Sequence, residues 1–121
     1  MQAALHNPDR GEVTIELGGR SWVLRPTYQA IAEIEAATGK SIMDLARLVA
    51  STRYSARELA VMVAGGLRGA GEKAVQVDTV GEMLVQAGVA NPAIIKPVAD
   101  FLTHCMNGGA QPGEAAAAGG K

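Results

Sequence analysis

Val13, Ile15 and Leu17 alternate with the polar residues Glu12, Thr14 and Glu16, and after Gly18-Gly19 the apolar residues Trp22 and Leu24 follow at the same period of two. A period of two is typical of a β-strand with one buried face, and a Gly-Gly pair suits a two-residue turn of positive φ. The pattern therefore predicts an antiparallel hairpin whose register is fixed by both the turn and the apolar pairs. The predicted pairs are Leu17 with Arg20, Ile15 with Trp22, and Val13 with Leu24.

After Pro26 the apolar spacing changes to three or four residues, which predicts a series of short helices. Each helix follows a residue able to cap its N-terminus. Three of these caps precede a carboxylate by three residues, which is the spacing of a capping box. The expected starts are Thr27, Ser41, Ser55, Thr79 and Asn91-Pro92. The apolar stripe of the fourth helix consists of Val80, Met83, Leu84 and Ala87.

These elements predict an α+β fold, with an N-terminal two-stranded antiparallel hairpin packed on a small bundle of four to five short helices. The domain is expected to span residues 12–106, between a flexible lead-in at 1–11 and a disordered tail at 107–121 that lacks large apolar residues. A two-stranded sheet has marginal stability alone, so the face that carries Trp22 must pack on another surface. Packing on the helices of the same chain is favoured, and contact with another chain is the alternative. The third helix is apolar nearly all round over residues 59–67 and is expected to be central, with a partner-lining position as the alternative.

Composition narrows the possible functions. A hydrophobic content of 48% suits one globular domain, while 3% aromatic residues leave the core to aliphatic side chains and alanine. The net charge of −1 provides no positive field to attract nucleic acid or anionic lipid, so neither is an expected partner. The N-terminus lacks the pattern of a signal peptide, and the longest apolar run is too short to cross a bilayer. We therefore expect a cytoplasmic protein.

Residues able to support catalysis are few. His104 and Cys105 are adjacent, so on a helix they point about 100° apart and cannot pair, and Cys105 is expected in the core. Glu33 and Glu35 do not face each other on a helix and are expected to be solvated charges. The glycine-rich segment at 65–73 fails as a phosphate loop because glutamate, not lysine, follows its last glycine. We expect no enzymatic activity, no cofactor and no metal site.

One long block carries a resemblance to known proteins: NPDRGEVTIELGGRSWVLRPTYQAIAEIEAATGKSIMDLARLVA, followed later by AGGLRGAGE. The block resembles the tail assembly chaperone family of gene transfer agents and long-tailed phages. The resemblance is carried by the order of its features: the RGEV lead, the strands around GGR, the proline junction and the Glu-containing helix. The resemblance extends from residue 7 to about residue 106. It implies a non-enzymatic protein of the bacterial host cytoplasm that coats the tape-measure protein and helps to recruit tail tube subunits. The family brings no catalytic residues.

On this basis the expected partners are the tape-measure protein and the tail tube protein, with self-association left open. The candidate contact residues lie on the third and fifth helices and fit a core position equally well: Val61, Met62, Leu67, Phe101 and Leu102. The alternatives are a structural tail or connector protein retained in the particle, and a small DNA-binding regulator with a helix-turn-helix at 42–69. The DNA-binding alternative is weakened because the third helix presents apolar residues at the positions where polar side chains would have to contact the bases.

If Trp22 belongs to the core, Trp22→Ala should lower the free energy of unfolding by about 3–5 kcal/mol, because the substitution leaves a cavity. Urea unfolding followed by circular dichroism measures the change. A stability close to that of the wild type would assign Trp22 to an interface with another chain.

Overall fold

The computed structural model describes residues 10–108 and, within them, two strands followed by five helices. The α+β architecture predicted from the sequence is confirmed. Residues 1–9 and 109–121, which contain most of the predicted lead-in and tail, lie outside the described residues. The elements are β1 (Val13–Leu17), β2 (Arg20–Leu24), α1 (Tyr28–Thr38), α2 (Ile42–Ala50), α3 (Ala56–Gly69), α4 (Val77–Ala87) and α5 (Pro92–Asn107).

The hairpin has the predicted register, with Leu17 opposite Arg20, Ile15 opposite Trp22, and Val13 opposite Leu24. Gly18 and Gly19 both have positive φ, 63° and 81°, as a two-residue turn of this hand requires. The hairpin packs on its own chain: β1 lies against α5 and α4, and β2 lies against α3. The favoured arrangement, in which the sheet covers its own helices, is therefore the one observed.

Trp22 lies at the margin of the core and is only partly buried. Its indole N–H donates a hydrogen bond to the carbonyl oxygen of Leu17 at 2.8 Å. The guanidinium of Arg20 covers the ring, 3.8 Å from its centroid, in a cation–π contact. Trp22 thus faces the predicted side of the sheet, but it closes the edge of the core rather than filling its centre.

The helix starts agree with the sequence at four of the five predicted positions in the described chain. Thr27, Ser41, Ser55 and Asn91 each accept a hydrogen bond from a backbone N–H in the first turn, and Ser55 forms a complete capping box with Glu58. The pKa of Glu58 is held below its usual value, chiefly by the Lys40 ammonium and secondly by the hydrogen bond from the backbone N–H of Ser55.

The start predicted at Thr79 is wrong. Helix α4 begins at Val77, and its N-cap Gln76 makes no side-chain capping bond. Two guanidinium nitrogens of Arg68 donate to the carbonyl oxygen of Val75 at 3.0 and 2.7 Å, which fixes the chain just before the helix. Val77 also packs against the core. These tertiary contacts start the helix two residues before the local capping signal.

Helix α3 is the centre of the fold. Residues 59–67 are all buried, and α3 packs against α1, α4, α5 and β2, which confirms the central position predicted for it. The junction between β2 and α1 lies directly on α3, where the N–H of Arg25 donates to the carbonyl oxygen of Gly66 at 3.0 Å. A Cβ atom at Gly69 would lie 2.3 Å from the Arg25 carbonyl oxygen, and one at Gly65 would lie 2.5 Å from Ile34. Side chains at these positions would force the junction away from the helix.

Gly69→Ala should therefore destabilise the protein by about 1–3 kcal/mol, because the added methyl group meets backbone that cannot move independently of β2. Gly81→Ala is the matched control, since its Cβ would lie 3.7 Å from the Cβ of Ala60, an ordinary contact. That variant should gain about 0.5–1 kcal/mol from higher helix propensity. Urea unfolding of both variants measures the difference. Equal stabilisation by the two substitutions would show that Gly69 is not needed for close packing.

Candidate functional site

The five residues predicted to contact a partner all lie in the core of the single chain. Val61, Met62, Leu67, Phe101 and Leu102 are each at most 3% exposed. The core alternative that the sequence left open accounts for the position of every one of them. In this conformation, a partner protein cannot contact these five side chains directly, because other side chains cover them.

His104 and Cys105 do not form a reactive pair. The Nδ1 atom of His104 lies 2.8 Å from the carbonyl oxygen of Gly11, so the imidazole joins the end of α5 to the segment before β1. Cys105 is partly buried, and burial, with a smaller contribution from the charge of Glu35, raises the pKa of its thiol to about 12. The thiol is therefore protonated and a poor nucleophile at neutral pH.

Glu33 and Glu35 are structural residues rather than the solvated charges expected. The Glu33 carboxylate pairs with Arg68 at the end of α3. A carboxylate oxygen of Glu35 accepts a hydrogen bond from the backbone N–H of Ile42 at 2.9 Å, which adds a second cap to α2. Within residues 10–108, no group of His, Cys, Asp and Glu side chains is arranged to hold a metal ion.

The two segments considered for nucleotide or DNA binding have structural positions in the fold. The glycine-rich segment at 65–73 forms the end of α3 and the turn after it. In the helix-turn-helix alternative, α3 would have to read bases, but Leu59 and residues 61–63 are buried. This face of α3 is covered by the rest of the chain.

The large apolar side chains exposed in the described chain are spread over the molecule. Tyr28, Met43, Val85 and Met106 each lie on a different helix, and they are between 42% and 87% exposed. Single exposed apolar residues are normal on protein surfaces and need no partner. Val85 differs from the other three because it lines a groove.

This groove, the α3–α4 groove, has a volume of about 710 Å³ and is open to solvent. On α4 its apolar lining is Val77, Gly81 and Val85, which follow one another at intervals of four residues along one side of the helix. On α3 the lining includes Ala56 and Ala60, again four residues apart. The two helices lie close together where Gly81 meets Ala60, and small residues form the floor there.

The rim of the groove carries opposite charges on its two sides. Asp78, Glu82 and Gln86 form the next row on α4, whereas Arg57 lies on α3. None of the three charged residues forms an ion pair within residues 10–108. Two carboxylates on the α4 side thus face one guanidinium on the α3 side across an apolar floor.

The chemistry of the groove fits binding rather than reaction. Its floor lacks nucleophilic and titratable side chains, and its charged groups stand at the rim. The groove was not predicted from the sequence, because the apolar stripe predicted for the fourth helix faces the core, where Val80 and Leu84 are buried. The second row at 77, 81 and 85 was the available signal, since an amphipathic helix that serves only its own core needs a single apolar stripe.

Because burial raises the pKa of the Cys105 thiol from 9.0 to about 12, iodoacetamide at pH 9 should alkylate the folded protein slower than the urea-unfolded chain by roughly two to three orders of magnitude. The unfolded thiol releases its proton at lower pH than the folded one. The contribution of Cys105 to stability is therefore complete below pH 9 and should be lost as the pH rises toward 12. Mass spectrometry of the alkylated chain measures the rates, and equal rates in both states would contradict the assignment.

No helix in the described part of the chain combines the length and apolar character needed to cross a membrane. No curated protein or solved structure matches the chain significantly. Residues 10–108, which are the residues that form the hairpin and the five helices, match the family described as phage tail tube protein, GTA-gp10. This match supports the resemblance to tail proteins of phages and gene transfer agents, although its description names a tube protein rather than a tail assembly chaperone. The chain belongs to this family of phage and gene transfer agent tail proteins.

Proposed function

We propose that the protein is a non-enzymatic tail assembly chaperone, which binds the tape-measure protein and helps to recruit tail tube subunits. Membership of a tail protein family supports a role in building the tail. The resemblance of its N-terminal block to tail assembly chaperones supports the more specific role. The proposal concerns protein–protein contacts only.

The distribution of apolar surface is the observation that carries the chaperone role. Permanent interfaces between subunits bury about 2,000–5,000 Å² and are rich in apolar side chains. Here the apolar faces of the helices are used in the core of the chain itself, and the large apolar side chains exposed within residues 10–108 are separated from one another. Such a surface suits limited, reversible contacts better than a permanent place in a tube wall.

Reversible binding is what a carrier of an unfinished component requires. A long helical protein that awaits its tube exposes apolar stripes, and such stripes promote aggregation until they are covered. A carrier that covers short portions of them keeps the client in solution. It is displaced when tube subunits, with larger interfaces, compete for the same surface.

A structural tail protein retained in the finished particle is the second candidate. The family description, which names a tail tube protein, favours it. Both candidates bind other tail proteins, but only a structural protein remains after assembly. The composition of the particle therefore separates them.

Co-expression with the tape-measure protein of the same tail system should raise the recovery of soluble tape-measure protein several-fold, because the chaperone covers its apolar stripes. An unrelated protein of similar size is the control. Mass spectrometry of purified particles should not detect the chain. Unchanged recovery would refute the holding role, and a fixed stoichiometric amount in the particle would establish the structural candidate instead.

A further inference from the structure

We infer that the α3–α4 groove receives one amphipathic helix of a partner protein, oriented with a lysine- or arginine-bearing flank against Asp78 and Glu82. This inference rests on the proposed function, since it names the surface and the chemistry by which a tail partner is held. The occupant is a helix with an apolar stripe about two to three turns long.

The shape of the groove favours a helix as the occupant. Both walls are helices, and the rows at 77, 81, 85 and at 56, 60 form ridges of the i, i+4 type that pack against a third helix. The row from residue 77 to residue 85 advances about 12 Å along α4 at about 1.5 Å per residue, so the groove of about 710 Å³ is long enough for slightly more than two turns of a helix. The small residues Ala60 and Gly81 at the floor allow the helix to lie deep enough to cover Val85.

Val85 gives the groove an apolar surface that residues 10–108 leave uncovered. Its side chain is 66% exposed, whereas the neighbouring floor residue Ala60 is 3% exposed. A helix in the groove would remove Val85 from water together with the partly exposed Val77. The free energy of association comes from this apolar contact, and the charged rim selects the orientation.

The rim specifies the charge of the occupant. Asp78 and Glu82 are four residues apart on α4, and like charges at this spacing disfavour the helix that carries them. Neither has an ion-pair partner within the described residues. A cationic flank on the incoming helix removes this repulsion, while Arg57 on the opposite wall accepts an acidic flank. With its apolar stripe on the floor, a helix that carries these two flanks is therefore admitted in one direction along the groove.

The test uses the full-length chain and the co-expressed tape-measure protein, with binding measured by titration of the purified proteins. Val85→Asp should weaken binding at least about tenfold, because it places a charge on the apolar floor. Met43→Asp is the matched control: Met43 is also an exposed apolar side chain, 58% exposed, but it lies on α2 away from the groove. The control should bind within about twofold of the wild type. Circular dichroism melts of both variants establish that each is folded.

Charge reversal tests the orientation. Glu82→Lys should weaken binding about tenfold, and Glu82→Gln should weaken it less and reduce its dependence on salt, because an ion pair across the rim is screened by salt. Asp100→Lys on α5 is the control, since its weak surface pair with Lys96 at 3.9 Å contributes little to stability. Equal effects of Glu82→Lys and Asp100→Lys would overturn the assignment of the charged rim.

The outcomes separate the groove from the function. If the wild type binds the tape-measure protein and Val85→Asp binds it equally well, the groove assignment is wrong and the proposed function stands. If the wild type does not bind, both are wrong. Binding that strengthens about tenfold after removal of residues 109–121 would mean that the groove belongs to the chain's own C-terminal segment. A dimer in sedimentation that Val85→Asp dissociates would assign the groove to a second copy.

Discussion

The close contact between α3 and the junction of β2 with α1 depends on three glycines near the C-terminal end of α3. Gly66 accepts a hydrogen bond from the N–H of Arg25, and a Cβ atom at Gly66 would lie 3.0 Å from the Cβ of Leu24. Gly65 and Gly69 leave space for Ile34 and for the Arg25 carbonyl. The hairpin is thereby fixed at both ends, at one by its turn and at the other by α3. A two-stranded sheet is marginal by itself, and this contact, together with the packing of β1 on α5 and α4, stabilises the hairpin against the helices.

The central position of α3 determines which surfaces remain for partners. Residues 59–67 of α3 are all buried by neighbouring elements, so the large side chains of this segment are used within the chain. Helix α4 is different because its apolar face consists of two adjacent rows. Val80 and Leu84 enter the core, whereas Val77, Gly81 and Val85 line the α3–α4 groove, with Val77 also in contact with the core. The apolar groove that residues 10–108 leave open is therefore lined more by α4 than by α3, the most buried helix.

Features that depend on neighbouring residues in sequence were predictable, whereas features that depend on distant contacts were not. The hairpin register followed from a period of two and a Gly-Gly turn, and four helix starts followed from their capping residues. The start of α4 did not, because Arg68 holds the Val75 carbonyl and Val77 joins the core. The candidate contact residues lie in the core for a related reason. Periodicity identifies an apolar face, but which chain covers that face depends on the packing of the other helices.

The two acidic residues of the groove differ in what the fold itself requires of them. Asp78 lies in the first turn of α4, where a negative charge is favourable near the N-terminal end of the helix dipole. The N-cap Gln76 provides no side-chain hydrogen bond, so this charge compensates in part for the missing cap. Glu82 lies one turn further along, beyond the range of that effect, and it faces Asp78 with a like charge. The stability of α4 thus explains a negative charge at Asp78 but not at Glu82. A charge change at Glu82 should therefore affect partner binding more than folding.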